Sequence, residues 1–296
     1  MRRRCTYAGD MPRHRHARPA SADDLLSQLG ELTARAREEI EMQRARVELA
    51  EALQRGMLPG VLPTAPGLRV AARYAPARNG LDIGGDWYDG FRLDDGTLAF
   101  SIGDVQGHDV EAAAFMGQIR IMLRAVAATT SPDPGDVLGM ANDLLMALES
   151  PLFATCSFLR VDPLTWRVWS ARAGHTSAVW ADVDGRSGVA EDAGGLPLAV
   201  QTGERYAVTR HTFGRPGVLA LLTDGVVEGP TFPIERGLST VAGVLRDSVT
   251  LGPEEVADRV MEVAELTGHS DDAAVLVLSH GAPGEAAPGP SPHPAP

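Results

Sequence analysis

Apolar and polar positions along this chain change period several times. From Ser21 to Met57, the residues Leu29, Leu32, Ala36, Ile40, Val47, Ala50, Leu53 and Met57 recur at a mixed spacing of three and four, with Glu and Arg between them. Asp23 and Asp24 fall in the first turn, where the helix dipole favours acidic side chains, and no Pro intervenes before Pro59. The pattern predicts one long helix that ends at Leu58-Pro59-Gly60. Its seam is thin in aliphatic side chains and broken by Gln43, which suits packing on a partner or on the rest of the protein better than an isolated coiled coil.

Beyond the stiff connector carrying Pro59, Pro63 and Pro66, strand-type runs take over. They are predicted at 68–74, 91–93, 98–102, 154–161, 166–171, 177–181, 206–213, 218–222 and 273–278. Asp94-Asp95-Gly96 and Asp162-Pro163-Leu164-Thr165 read as hairpin turns, and 182–195 as a polar loop. Helical patterns occupy 110–128, 135–149 and 253–266, the last opened by Pro253-Glu254-Glu255. Hairpins outnumber strand–helix alternations, so the fold class is α+β, with mainly antiparallel sheets and helices packed outside them. No internal repeat is visible.

Composition narrows the function classes. The chain has 296 residues, is 44% apolar, and carries a formal charge of -12. That is ample for a large core and opposes nucleic-acid binding, which needs a basic face. The charge is uneven: residues 1–20 hold Arg2, Arg3, Arg4, Arg13, Arg15 and Arg18 against Asp10 alone, and read as a disordered basic arm. Residues from 281 onward are Pro, Gly and Ala and read as a disordered tail. An acidic body suits a collector of divalent cations. Cys5 and Cys156 are too differently placed for a disulfide, and Cys156 reads as a core thiol in an apolar run. With no signal peptide and no membrane-length apolar stretch, the expectation is a soluble cytoplasmic protein.

One motif recurs. In Leu98-Ala99-Phe100-Ser101-Ile102-Gly103-Asp104-Val105-Gln106-Gly107, a strand runs into a carboxylate and then a glycine turn. Ile83-Gly84-Gly85-Asp86 and Leu219-Ala220-Leu221-Leu222-Thr223-Asp224-Gly225 do the same, and Asp271-Asp272 precedes the apolar run from Ala273. A hairpin over Asp94-Asp95-Gly96 brings Asp86 and Asp104 toward one region. Several carboxylates at sheet ends, distant in sequence, point to one assembled acidic site. Carboxylate oxygens are hard ligands for Mg²⁺ or Mn²⁺, whereas structural zinc wants closely spaced Cys or His. Two such ions about 3.5–4 Å apart suit phosphate-ester hydrolysis. The chain lacks a Walker sequence, a strand-borne Gly-x-Gly-x-x-Gly and a Gly-x-Ser-x-Gly elbow.

The sequence resembles the bacterial regulatory phosphatases of the PPM (type 2C) class, RsbU/SpoIIE-like branch. The resemblance rests on Asp82-Ile83-Gly84-Gly85-Asp86-Trp87-Tyr88-Asp89, Gly103-Asp104-Val105-Gln106-Gly107-His108, Ala173-Gly174-His175, Leu196-Pro197-Leu198, Leu222-Thr223-Asp224-Gly225-Val226-Val227-Glu228 and Asp271-Asp272. Leu53-Gln54-Arg55-Gly56-Met57-Leu58-Pro59 matches the helix end preceding that domain. The resemblance implies a sandwich of two antiparallel β-sheets flanked by α-helices, preceded by the long N-terminal helix. It divides the chain into an arm at 1–20, a regulatory helix at 21–58, a phosphatase domain at 59–280 and a tail at 281–296. It also implies two divalent cations, Mn²⁺ or Mg²⁺, bridged by Asp104 with the Val105 carbonyl contributing. Asp86 would act at one cation, while Asp224 and Asp271 complete the other. The implied substrate is a phosphoserine or phosphothreonine protein, in this branch an anti-sigma-factor antagonist. A regulatory partner, or a second copy, would engage the helix at 22–57.

Some positions depart from the family pattern or resist a catalytic role. Asp109 replaces a small residue, and Ala274 stands where the family commonly has Thr. His108 caps or orients its turn, His175 reads as a turn residue, and Asp82, Asp89 and Asp272 read as supporting residues. Asp109 and Ala274 keep open an alternative: a weakly active or inactive phosphatase-like domain that serves as a protein-binding module.

Overall fold

The structure, a computed structural model, describes residues 22–76, 84–107, 110–129, 133–268 and 271–281. The expected arm at 1–20 and all of the expected tail beyond residue 281 lie outside them. The chain divides into two units, 1–46 and 47–296. The long pattern is one helix, α1 (Ala22–Met57), as its spacing predicts. Within the first unit, Leu26, Leu29, Leu32, Ile40 and Met42 of this helix are exposed.

In the second unit the strands are β1 (Leu68–Ala75), β2 (Trp87–Arg92), β3 (Leu98–Val105), β4 (Ala154–Asp162), β5 (Arg167–Ala173), β6 (Val179–Asp182), β7 (Ser187–Val189), β8 (Thr209–Thr212), β9 (Gly217–Leu222) and β10 (Ala273–His280). The helices are α2 (Val110–Thr129), α3 (Pro134–Met146), α4 (Asp224–Val227), α5 (Ile234–Ser248) and α6 (Pro253–Thr267). The strands form two five-stranded sheets in the orders β1-β10-β9-β6-β7 and β2-β3-β4-β5-β8. Every pairing is antiparallel.

Side-chain alternation explains the layers. On β3, Phe100 and Ile102 enter the core between the sheets with Leu221 and Leu276, while Ala99 and Val105 face the helix side. There Met116, Ile119 and Leu123 of α2 and Leu138 of α3 join Trp87 and Phe158. The other sheet repeats the scheme: Val275 and Val277 of β10 pack against Val241, Leu245, Val256 and Val260 of α5 and α6. Strands covered on both faces are apolar over most of their length, which is why β9 and residues 273–278 of β10 read as apolar runs.

The structure differs from the sequence reading in places. Helix α5 went unpredicted, although Ile234, Leu238, Val241 and Leu245 recur every three or four residues. Gly237 and Gly243 within it, and the turn-rich Gly229-Pro230 before it, mask that signal. Strand β7 lies inside the expected loop, and β8 is shorter than its predicted run. Strand β3 extends to Val105 because β4 keeps pairing with it, Asp104 opposite Thr155 and Val105 opposite Ala154. Helix α3 starts at Pro134, where a proline costs nothing, behind the N-cap Asp133.

Phe100 is fully buried between the sheets. Phe100→Ala is expected to destabilise the protein by about 3–5 kcal/mol, read as a lower denaturation midpoint in urea.

Candidate metal centre

The β2–β3 register sets the first two carboxylates. Trp87 pairs with Gly103, so the residue before the one and after the other, Asp86 and Asp104, stand across from each other. Gly103 permits this because a Cβ there would meet the Trp87 ring at 2.2 Å and the Thr155 carbonyl at 2.4 Å. In the other sheet Leu222 pairs with Val275, so β9 leaves toward Asp224 at the same end where Asp271-Asp272 leads into β10. Thr223 joins these edges: its hydroxyl accepts from the Ala274 N–H at 2.9 Å, and its own N–H donates to the Ala274 carbonyl at 3.0 Å.

Glycines let the segments close in. A Cβ on Gly85 would lie 2.4 Å from the Val105 carbonyl and 3.0 Å from that of Gly107. One on Gly225 would lie 2.0 Å from the Asp272 carbonyl. The paired glycine motif before Asp86 is therefore a close-approach device rather than a flexible turn.

The carboxylates share one field. Asp86 is 2% exposed, and its Oδ2 is buried without a hydrogen-bond partner. Burial, and then the charges of Asp104 and Asp272, hold its carboxyl well above the usual range, despite a hydrogen bond from Thr223. Asp104 is pushed up to about 8, first by burial and then by Asp224 and Asp271; its hydrogen bond with Asp86 pulls the other way. Asp224 is raised too, by burial and then by Asp271. Asp224 and Asp271 line an open cleft of about 400 Å³ with Glu228.

The structure thus brings Asp86, Asp104, Asp224 and Asp271 into one acidic cluster, and adds Asp272. Asp272 is buried, and its side chain lies 2.1 Å from where a Gly84 Cβ would stand. The sequence reading gave it only a supporting place; adjacent residues leading into a strand face opposite ways, and only the fold says which is inward. Among the described residues no three His, Cys, Asp or Glu side chains stand together as a ready-made ligand set for one ion. The donor chemistry nevertheless fits a hard divalent cation: the clustered side chains are all carboxylates, one of their oxygens is buried and unpartnered, and burial first, neighbouring carboxylates second, oppose ionisation of Asp86, Asp104 and Asp224.

Other singled-out residues lie elsewhere. Asp89 is a structural anchor, accepting from Arg124 at 2.6 Å and 3.1 Å with Arg120 at 3.5 Å, and so ties β2 to α2. His175 is buried with Nδ1 bonded to the Thr155 hydroxyl at 2.8 Å, behind the strand pair that carries Asp104. Burial lowers its imidazole to about 3. Cys156 is a core thiol whose pKa burial pushes up. Asp82, His108 and Asp109 lie outside the described residues. No helix among the described residues is long and apolar enough to cross a membrane.

Residues 94–281 match the model of the family described as Stage II sporulation protein E (SpoIIE). The chain belongs to the SpoIIE family. Its fold is that of the PPM-type phosphatases, in the RsbU/SpoIIE-like branch. The RsbU and RsbW domains of Rv1364c from Mycobacterium tuberculosis superpose with a TM-score of 0.67 at 27% identity, covering 77% of this chain and 64% of that one. The PP2C phosphatase domain of SpoIIE from Bacillus subtilis, solved with a fragment of its regulatory domain, superposes with a TM-score of 0.61 at 20% identity, covering 73% of this chain and 64% of that one. Protein IcfG of Synechocystis sp. is 38% identical over 91 residues, which are 31% of this chain and 14% of that protein. The chain thus matches only a small part of IcfG and somewhat under two thirds of the Rv1364c structure.

The raised carboxyl of Asp104 has a sign. Its native pKa of about 8 lies above the ordinary 3.8, so protonation stabilises the fold; that contribution is full below about 3.8 and is lost as pH rises through 8. In EDTA, thermal midpoints should fall over this window, and Asp104→Asn should flatten the fall; equal slopes in both proteins would contradict the assignment.

Proposed function

We propose that this chain is a metal-dependent protein serine/threonine phosphatase. It would hydrolyse phosphoserine or phosphothreonine on a regulatory protein of the anti-sigma-factor antagonist type, in the cytoplasm. The observation that carries the reading is the acidic cluster at one end of the sandwich, with a buried unpartnered oxygen on Asp86 and Asp104 at its centre. Family membership supports phosphoester hydrolysis as the reaction, and the RsbU/SpoIIE-like branch supports a sigma-factor network as its setting.

Two divalent cations, Mn²⁺ or Mg²⁺, are the proposed cofactors. Bound there, they would offset charge on the transferring phosphoryl oxygens and make water a competent nucleophile at neutral pH. Asp104 would be shared between the two, joined by the Val105 carbonyl. Asp86 would serve one side, directly or through water, and Asp224 and Asp271 the other. Asp224, Asp271 and Glu228 line the cleft from which a phosphorylated side chain could enter. Their negative charge would repel a phosphate in the absence of cations, so substrate binding and cation loading are coupled by charge.

Ala274 does not leave the site without a hydroxyl. Thr223, between the end of β9 and α4, bonds both backbone groups of Ala274 and reaches Asp86. This supports the active phosphatase over the binding-module alternative.

With Mn²⁺, the purified protein should release phosphate from a phosphoserine peptide, and EDTA should abolish this. Asp104→Asn or Asp224→Asn should lower kcat by at least about 100-fold with the fold intact by circular dichroism. Undiminished metal-independent turnover in Asp104→Asn would refute the mechanism. The helix at 22–57 is the proposed handle for a regulatory partner or a second copy. Removing residues 1–46 should change basal turnover or its Mn²⁺ dependence; identical kinetics would count against that role.

A further inference from the structure

The chain passes from one sheet to the other between β5 and β6, at residues 174–178. This crossing lies at the end of the sandwich that holds the acidic cluster. Strand β5 runs back alongside β4 toward Thr155, and β6 pairs with β9 where β9 leads to Asp224.

Two side chains of the crossing tie it to both sheets. Toward one sheet, His175 Nδ1 and the Thr155 hydroxyl are hydrogen-bonded at 2.8 Å. Thr155 is the register partner of Asp104, and such partners project from the same face of a sheet as close neighbours. Toward the other sheet, the Thr176 hydroxyl donates to the Leu222 carbonyl, two residues before Asp224. The crossing is itself held in place. Gly174, at φ +66°, bridges to Cys156, and the His175 carbonyl accepts from Arg172, which is paired with Asp192.

His175 is 3% exposed, and burial, then the charge of Arg172, hold its imidazole down at about 3, so the ring is neutral near pH 7. It therefore bonds Thr155 without adding charge beside the cluster. As a filler of space it is a poor choice, because burying polar groups costs stability that an apolar side chain would keep. What it supplies is direction. Apolar packing between sheets is non-directional, whereas the side chains of a working site have to be held within about 0.5 Å.

We propose that His175 and Thr176 are positioning residues: they fix the spacing between Asp104 on one sheet and Asp224 beyond the end of the other, and with it the fit of the centre to divalent cations. The inference rests on the metal-centre reading and extends it to residues that are not ligands in it.

The test is calorimetric titration of Mn²⁺ into the full chain and into variants that keep side-chain shape. Thr155→Val and Thr176→Val each remove one hydroxyl, and each is expected to weaken Mn²⁺ binding at least about tenfold. Thr155→Ser and Thr176→Ser keep the hydroxyl and should stay within about threefold of the unaltered chain. His175→Phe should match Thr155→Val, and the two combined should weaken binding no further than the stronger one alone, since both remove the same bond. Leu138→Ala, fully buried in α3, should lower the thermal midpoint without moving Mn²⁺ affinity, which separates positioning from general loosening. Beside measurable binding by the unaltered chain, undiminished affinity in either folded valine variant, or an equal loss in Leu138→Ala, would overturn this proposal alone. No Mn²⁺ binding by the unaltered chain would overturn both this proposal and the metal-centre reading.

Discussion

Burial of neighbouring carboxylates is the constraint on which the rest of this structure turns. Asp86, Asp104, Asp224 and Asp272 are partly or wholly withdrawn from water at one end of the sandwich, with Asp271 at the rim. In that setting each ionised group raises the cost of ionising the next. Such an arrangement is unfavourable in isolation. It persists because the strands that deliver it are committed elsewhere, through cross-strand registers and three apolar cores.

Those commitments are strong and distributed. Strands β3 and β10 are interior to their sheets, each paired on both edges and covered on both faces. Asp104 follows Phe100 and Ile102 on a strand that cannot slip by one residue without turning these side chains out of the core. Asp89, two positions into β2, is held by Arg124 and Arg120, so the strand that begins beside Asp86 is also fixed to α2. The electrostatic cost at the cluster is therefore borne by packing remote from it, as is common where a site needs charges that the fold alone would avoid.

The same sandwich treats its two open regions differently. At the acidic end glycines draw backbones together, and polar groups crowd. Between β5–β8 and β6–β9 the sheets leave room, lined by rings and neutral imidazole. Both regions are served by β9 and β10.

The sequence by itself determined the element types, the antiparallel class and the recurring strand-to-carboxylate motif, because apolar period and turn chemistry are local properties. Asp86, Asp104 and Asp224 stood out for that reason. Helix α5 stayed hidden because glycines within it and turn residues before it outweighed a legible spacing. Only the tertiary structure decided that Asp272 turns inward while Asp271 stays at the cleft, that Asp89 belongs to an arginine clamp, and that His280 and His211 meet at one cavity. Those outcomes depend on which strands become neighbours across two sheets, and contacts between residues so distant in sequence leave no trace in local spacing.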